Sequence, residues 1–108
     1  MNGMYYEPYI ALVLYRDDEY ALSWLIDLVN QNNNIKCINK VRDFGYDKII
    51  ICLNDNSTIT MLKCDDIESI YEYLRGHRYD RVYIDSSIKL TNDECGLLEV
   101  LIAPNMLR

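Results

Sequence analysis

Apolar residues occur along the chain in two patterns, short continuous runs and runs with helical spacing. Residues 9–15 are apolar almost throughout and follow Pro8, which is typical of a strand covered on both faces and predicts a central strand. Acidic residues occupy positions 17–19, and apolar residues then recur with a helical period. This order of an acidic start and an amphipathic run predicts a helix over residues 18–30.

The middle of the chain has the composition of β-strands. Residues 35–41 are one candidate, residues 48–53 form a run rich in isoleucine, and residues 58–63 alternate between polar and apolar. The turn-forming sequence at 54–57 separates the last two of these runs. We therefore expect an antiparallel hairpin over residues 48–63, with one face covered.

The last third of the chain predicts two helices with a strand between them. Apolar residues with helical spacing follow Asp65 and Asp66, either of which can cap a helix, and Gly76 stands where that helix should stop. Residues 81–85 form a short apolar run that predicts a buried strand. A capping-box spacing that starts at Thr91 predicts a third helix over residues 92–102.

The predicted order of elements is β-α-β-β-β-α-β-α. It indicates an α/β fold, with α+β as the alternative, in which three helices pack on a mixed sheet of about five strands. A length of 108 residues, half of them hydrophobic, predicts one domain that covers residues 1–108.

The charge and the hydropathy of the chain argue against two classes of partner, nucleic acid and the membrane. The formal net charge is −6, from 17 acids against 11 lysines and arginines. A negative chain repels polyanions, so direct binding of nucleic acid is not expected. No leader pattern is visible and no apolar run approaches the roughly 18 residues of a membrane span. We expect a cytoplasmic protein without membrane contact.

The four cysteines have no metal-binding spacing. They contain no CxxC pair and do not cluster with the single histidine, so neither zinc nor another cofactor is expected. Free thiols in a reducing compartment are the favoured interpretation, and a disulfide or a ligand role is the alternative. The four positions are Cys37, Cys52, Cys64 and Cys95.

Asp85 is the one candidate for catalysis or for metal binding. It is the last residue of the predicted strand at 81–85, and the end of such a strand is where many nucleotide-hydrolysing domains hold Mg²⁺. The alternative is that the carboxylate caps the loop that follows by accepting backbone hydrogen bonds. Lys89, four residues later, also allows a nuclease-like interpretation.

A cluster of basic residues is the candidate interaction site. Arginine in such a cluster can grip a phosphate or a carboxylate, or contact a partner protein. The alternative is that these residues neutralise the end of the second predicted helix and pair with nearby acids. The cluster consists of Arg75, His77, Arg78 and Arg81, with Tyr79 among them.

Tyrosine is abundant, with ten in the chain and five of these in the first twenty residues. Exposed tyrosines would mark an interface, because the ring offers a large contact area with a polar end. The alternative is that they pack half-buried in the core.

Several short motifs in residues 47–104 occur in an order that is also found in a known protein family. The turn at 54–57, the pair Arg75-Gly76, the strand that ends in Asp85 and the stretch that leads to Ala103-Pro104 occur in this order. This order resembles the middle of the ATPase domain of phage terminase large subunits and related helicase-like P-loop ATPases. In that family the aspartate would hold Mg²⁺.

The chain departs from that family's pattern in two places. Ser86 stands where the family has a glutamate that positions the attacking water. No Gly-x-x-x-x-Gly-Lys-Ser/Thr loop is present to cradle phosphates. The resemblance therefore implies the framework of such a domain rather than its activity.

These observations predict a small phage- or virus-encoded protein that is not an enzyme. It would bind another protein, host or viral, and act as an inhibitor of a nucleoprotein complex such as a defence system. The alternative is an ATPase-like or nuclease-like enzyme that uses nucleotide and Mg²⁺ and completes its site, including Asp85, Arg75 and Arg78, by forming a homo-oligomer. A third hypothesis is an accessory protein that binds nucleic acid through its arginine turn.

Overall fold

A computed structural model of the chain describes residues 8–31, 33–43, 45–66, 68–74, 79–88 and 92. Over these residues the chain forms five strands, one long helix and one short helical segment. In chain order they are β1 (Ile10–Tyr15), α1 (Asp18–Gln31), β2 (Ile35–Asp43), β3 (Tyr46–Leu53), β4 (Thr58–Lys63), a 3-10 turn (Glu68–Ile70), α2 (Tyr71–Leu74) and β5 (Arg81–Ile84).

The five strands form one mixed sheet in the order β2-β3-β4-β1-β5. β1 pairs in parallel with β4 on one side and with β5 on the other, while β2, β3 and β4 form an antiparallel meander. The apolar run of β1 suits this position, because a strand between parallel neighbours is buried on both faces. The α/β class, the mixed sheet and the antiparallel hairpin of β3 and β4 are confirmed. The expectation that one face of the hairpin is covered is wrong for β4, whose neighbouring residues Met61 and Leu62 are buried in different core layers.

The helices differ from the prediction in number and length. α1 is present as expected, but within the described residues the second predicted helix consists of the 3-10 turn and the four residues of α2. At the start of this segment the Ser69 hydroxyl donates to the Asp66 carbonyl and the Asp66 carboxylate accepts from the Ser69 N–H, both at 2.8 Å, which caps the segment. Of the third predicted helix, at 92–102, only Asn92 lies within the described residues.

The strand that we expected to be buried at 81–85 is an edge strand. β5 pairs only with β1 within the described sheet, and the Tyr83 side chain is 41 % exposed. Its apolar residues gave the pattern of a covered strand because alternate ones do pack inward: Val82 and Ile84 contact the core on one face of the sheet.

The sheet divides the core into two layers. The layer on the α1 side is built from β1, β3, β4 and α1, and it includes Val13, Ala21, Ile51 and Met61. The opposite layer packs against the short helical segment and includes Leu12, Leu62, Ile70 and Leu74. Successive side chains of β1 thus enter different layers, which is the alternation of a strand.

The turn between β3 and β4 is held by local hydrogen bonds. The Asp55 carboxylate accepts from the Ser57 N–H at 2.9 Å, and the Asn56 N–H donates to the Leu53 carbonyl at 3.1 Å. Asn56 has a φ of 72°, in the left-handed region that asparagine and glycine tolerate best.

We expect Asn56→Ala to lower the free energy of unfolding by about 1 kcal/mol, because alanine tolerates the left-handed backbone less well than asparagine does. Urea denaturation measures the change. The matched control is Asn56→Gly, which accepts the same φ and should lie close to the wild type. Equal losses in both variants would contradict the backbone explanation.

Candidate functional site

The loop between β1 and α1 contains only Arg16 and Asp17. The Asp17 carboxylate accepts from the Glu19 N–H at 3.0 Å, which makes Asp17 the N-cap of α1. Asp18 and Glu19 in the first turn add negative charge at the positive end of the helix. The acidic run at 17–19 therefore has a structural explanation as the start of α1.

Asp85 lies at the end of β5, directly beside this loop. One carboxylate oxygen, Oδ2, accepts from the backbone N–H groups of Arg16 and Asp17 at 3.2 and 3.3 Å. The other, Oδ1, accepts from the Ser87 N–H at 2.9 Å. The side chain is only 3 % exposed. Asp85 thus connects the end of β5, the turn after it and the start of α1.

The hydrogen bonds keep this buried carboxylate ionised. Burial alone would raise the pKa of Asp85, but the hydrogen bonds from Ser87, Arg16 and Asp17 outweigh it, and the pKa lies below the ordinary value. Tyr20 of α1 is close enough to respond, since burial and then the negative charge of Asp85 raise the pKa of its hydroxyl.

This geometry corresponds to the loop-capping alternative for Asp85. Both carboxylate oxygens are engaged by backbone donors, so burial and charge are accounted for without a metal ion. Two of these donors belong to the loop between β1 and α1. Here the two-residue loop directs them to a carboxylate of the chain itself.

A groove with a volume of about 340 Å³ lies between α1 and the β1–β5 side of the sheet. Its floor includes the buried residues Ala11 and Ile59. Its walls are formed by four residues of α1, by Tyr9 and by two residues of β5. These wall residues are Tyr9, Trp24, Asp27, Leu28, Gln31, Arg81 and Tyr83.

Aromatic rings and one guanidinium dominate the groove. The Trp24 and Tyr83 rings contact each other with centroids 5.8 Å apart and planes tilted by 58°. The Arg81 guanidinium carbon lies 4.1 Å from the centroid of the Tyr9 ring, a cation–π contact. Within the part of the chain that the structure describes, no carboxylate lies within ion-pair distance of Arg81.

Two members of the predicted interaction site, Tyr79 and Arg81, lie within the described residues. Arg81 is in the groove, half-buried. Tyr79 lies in the core layer opposite α1 and is 3 % exposed; burial, followed by the charge and the hydrogen bond of Tyr73, raises the pKa of its hydroxyl. Tyr79 is therefore placed as a core residue rather than as a contact surface. Arg75, His77 and Arg78 lie outside the described residues.

Sequence reasoning missed an apolar stripe on the solvent side of α1. Leu22, Ile26 and Val29 are 59, 50 and 50 % exposed. Their spacing of i, i+4 and i+7 puts them on one face of the helix. The signal was present in the sequence, because α1 has more apolar residues than its core-facing side requires.

No group of three or more metal-ligating side chains occurs among the described residues. Within the same residues, no helix is long and apolar enough to cross a membrane. Comparisons with models of protein families, with curated proteins and with solved structures found no match to this chain. The resemblance to terminases stays a prediction, and the function has to be argued from the geometry.

We expect Asp85→Ala to reduce the free energy of unfolding by about 2–4 kcal/mol, because it leaves three backbone N–H groups without their acceptor. Chemical denaturation at neutral pH measures this loss. Asp80→Ala is the control, since the Asp80 carboxylate accepts one hydrogen bond, from the exposed Ile10 N–H at 2.8 Å. A loss at Asp85 no larger than at Asp80 would contradict the capping role.

The lowered pKa of Asp85 also predicts a dependence on pH. Its contribution to stability is complete above the ordinary aspartate pKa of about 3.9 and disappears as the pH falls through the lower pKa of the folded state. The difference in unfolding free energy between the wild type and Asp85→Asn should therefore shrink below about pH 4. Urea titrations from neutral pH to pH 3 test this, and a difference that grows on acidification would refute it.

Proposed function

We propose that the chain is a non-catalytic protein-binding module and that the groove between α1 and β5 is its docking site. The observation that carries this proposal is a groove walled by three aromatic rings beside a guanidinium that has no carboxylate partner among the described residues. The occupant that fits is a segment of another protein with an apolar side chain next to a single carboxylate.

The residue types of the groove support binding to a protein. Tryptophan, tyrosine and arginine are the side chains that most often dominate the energy of protein interfaces. Trp24, Tyr83 and Tyr9 offer large rigid surfaces, and the buried floor of Ala11 and Ile59 is apolar. An apolar side chain that enters the groove would be removed from water on several sides, which is the main source of favourable free energy in such contacts.

The charged residues of the groove indicate which charged group the partner segment carries. Arg81 is held against the Tyr9 ring, so its planar donors are oriented before a partner arrives. Such a guanidinium binds a carboxylate through two parallel hydrogen bonds. Asp27 on the α1 wall would repel a second acid. The preferred segment therefore has one acidic residue rather than several.

What favours binding over the enzymatic alternative is the state of Asp85. The one aspartate that the terminase resemblance would assign to Mg²⁺ has both oxygens engaged by backbone donors. We retain as part of the proposal that the partner belongs to a host or viral nucleoprotein complex, because the resemblance to terminases implies that setting.

Selection from a random-peptide library tests the groove directly. We expect the selected peptides to combine an aromatic or aliphatic residue with one neighbouring acid. Trp24 is the sole tryptophan of the chain and lines the groove, so its fluorescence should change on binding when the peptide contains none. Arg81→Gln and Tyr83→Ala should each weaken binding by about tenfold or more.

Arg42→Gln is the matched control, because Arg42 is exposed on β2 at the opposite edge of the sheet. It should bind the peptides as tightly as the wild type does. Changing the acid of a selected peptide to its amide should cost affinity in the wild type but not in Arg81→Gln. Equal binding by all three variants, or selected peptides that leave Trp24 fluorescence unchanged, would contradict the docking site. Self-association that is lost in Tyr83→Ala would instead identify the occupant as a second copy.

A further inference from the structure

Two cysteines that are distant in the sequence lie directly opposite each other in the sheet. Cys37 of β2 pairs with Cys52 of β3 in the antiparallel ladder. Residues opposite each other share one face of the sheet, and their Cβ atoms are about 4.5–5.5 Å apart. This separation is close to the span of a disulfide, whose Cβ atoms are about 3.5–4.5 Å apart. Both cysteines are free thiols and half-buried.

The cross-strand pairing brings the two thiols near enough to influence each other. The side-chain amide of Asn39 donates to Cys37 Sγ, at 3.7 Å. The neighbouring Cys37 and then burial raise the pKa of the Cys52 thiol. Cys52 therefore retains its proton to a higher pH than an ordinary cysteine does.

The backbone beside the pair can accommodate a small movement. The register of β2 shifts between Ile35 and Cys37, a β-bulge on the strand that lies at the edge of the sheet. A bulge interrupts the ladder locally, so the strand can adjust its distance from β3 with little loss of hydrogen bonds. Closing a disulfide requires the two Cβ atoms to approach by only about 1 Å.

We propose that Cys37 and Cys52 form a reversible redox site that a low-molecular-weight disulfide such as oxidised glutathione converts to an intramolecular disulfide. This site is separate from the groove, because it uses β2 and β3 rather than α1 and β5. It concerns the redox state of the chain and does not depend on the proposed function.

The reaction consists of two thiol–disulfide exchanges. In the first, the Cys37 thiolate attacks one sulfur of oxidised glutathione, a mixed disulfide forms, and glutathione thiolate leaves. In the second, Cys52 loses its proton to solvent and attacks Cys37 Sγ, which expels the second glutathione thiolate. The two protein thiols are oxidised, and one glutathione disulfide is reduced to two glutathione molecules.

The disulfide would connect the edge strand β2 to β3 across the hairpin. Such a bond restricts the unfolded chain more than the folded one, so the melting temperature Tm should rise by several degrees on oxidation. Reduction by dithiothreitol should reverse the change. The expected product is monomeric, since both sulfurs belong to the same chain.

The experiment equilibrates the full chain in glutathione buffers of increasing oxidised fraction, blocks the remaining thiols by alkylation and maps tryptic peptides without reduction. Cleavage after lysine separates the two cysteines, because residues 37–40 and 49–63 form two peptides with one cysteine each. We expect these peptides joined, with the loss of two hydrogens, together with the rise in Tm.

Three variants make the result specific. Cys52→Ser should stop at one glutathione on Cys37 and show no rise in Tm, and Cys37→Ser should also show no rise. Cys64→Ala removes the buried cysteine of the core layer that lies opposite α1, and it should keep the joined peptides even if its stability is lower. A bond between two chains, a bond to another cysteine, or mixed disulfides without the joined peptides would overturn the proposal.

Discussion

The position of β1 between two parallel neighbours is the constraint on which the other elements depend. Its residues 11–15 are all buried, so each backbone group has to find a partner in the protein. The carbonyls at its two ends accept from distant residues: Tyr9 from Thr58, Leu14 from Asp85 and Tyr15 from Cys64, at 2.8–3.0 Å. β4 and β5 are thereby fixed beside it, and α1 packs on the core layer to which β1 and β4 contribute.

Polar side chains complete both ends of this strand. At its start, the Ser57 hydroxyl accepts from the Tyr9 N–H at 3.1 Å, although Ser57 is completely buried. Just beyond its end, the Asp85 carboxylate likewise accepts hydrogen bonds from the N–H groups of Arg16 and Asp17. An unpaired backbone group in the interior costs free energy, so each buried acceptor of this kind holds its donor in place. Tyr9 and β5 also form part of the walls of the groove. The same hydrogen bonds therefore fix these walls relative to β1.

How much of this could be predicted from the sequence depends on the range of the interactions. The hairpin of β3 and β4 and the start of α1 follow from turn and cap residues a few positions apart, so the pattern predicts them well. The edge position of β5 depends on which strand pairs with β1, and no local pattern contains that information.

The same limit applies to the sites. Asp85 was visible from the sequence as a strand-end carboxylate, but its role depends on the amides of Arg16 and Asp17, nearly seventy positions away. The groove brings together Tyr9, Trp24 and Arg81, and the cysteine pair depends on the register of β2 against β3. Each of these juxtapositions is produced by the sheet and not by spacing along the chain.

The topology of β1 also has a consequence for the order of folding. During synthesis β1 leaves the ribosome before the other four strands of the described sheet, yet its neighbours β4 and β5 are the last of the five to follow. The meander of β2, β3 and β4 has only short connections and can form while β1 is still unpaired, because closing a long loop costs more entropy than closing a short one. The central strand of the described sheet is thus the first of the five to be made and among the last to be enclosed. Until then its apolar residues are exposed, and exposed apolar surface makes a nascent chain prone to aggregation.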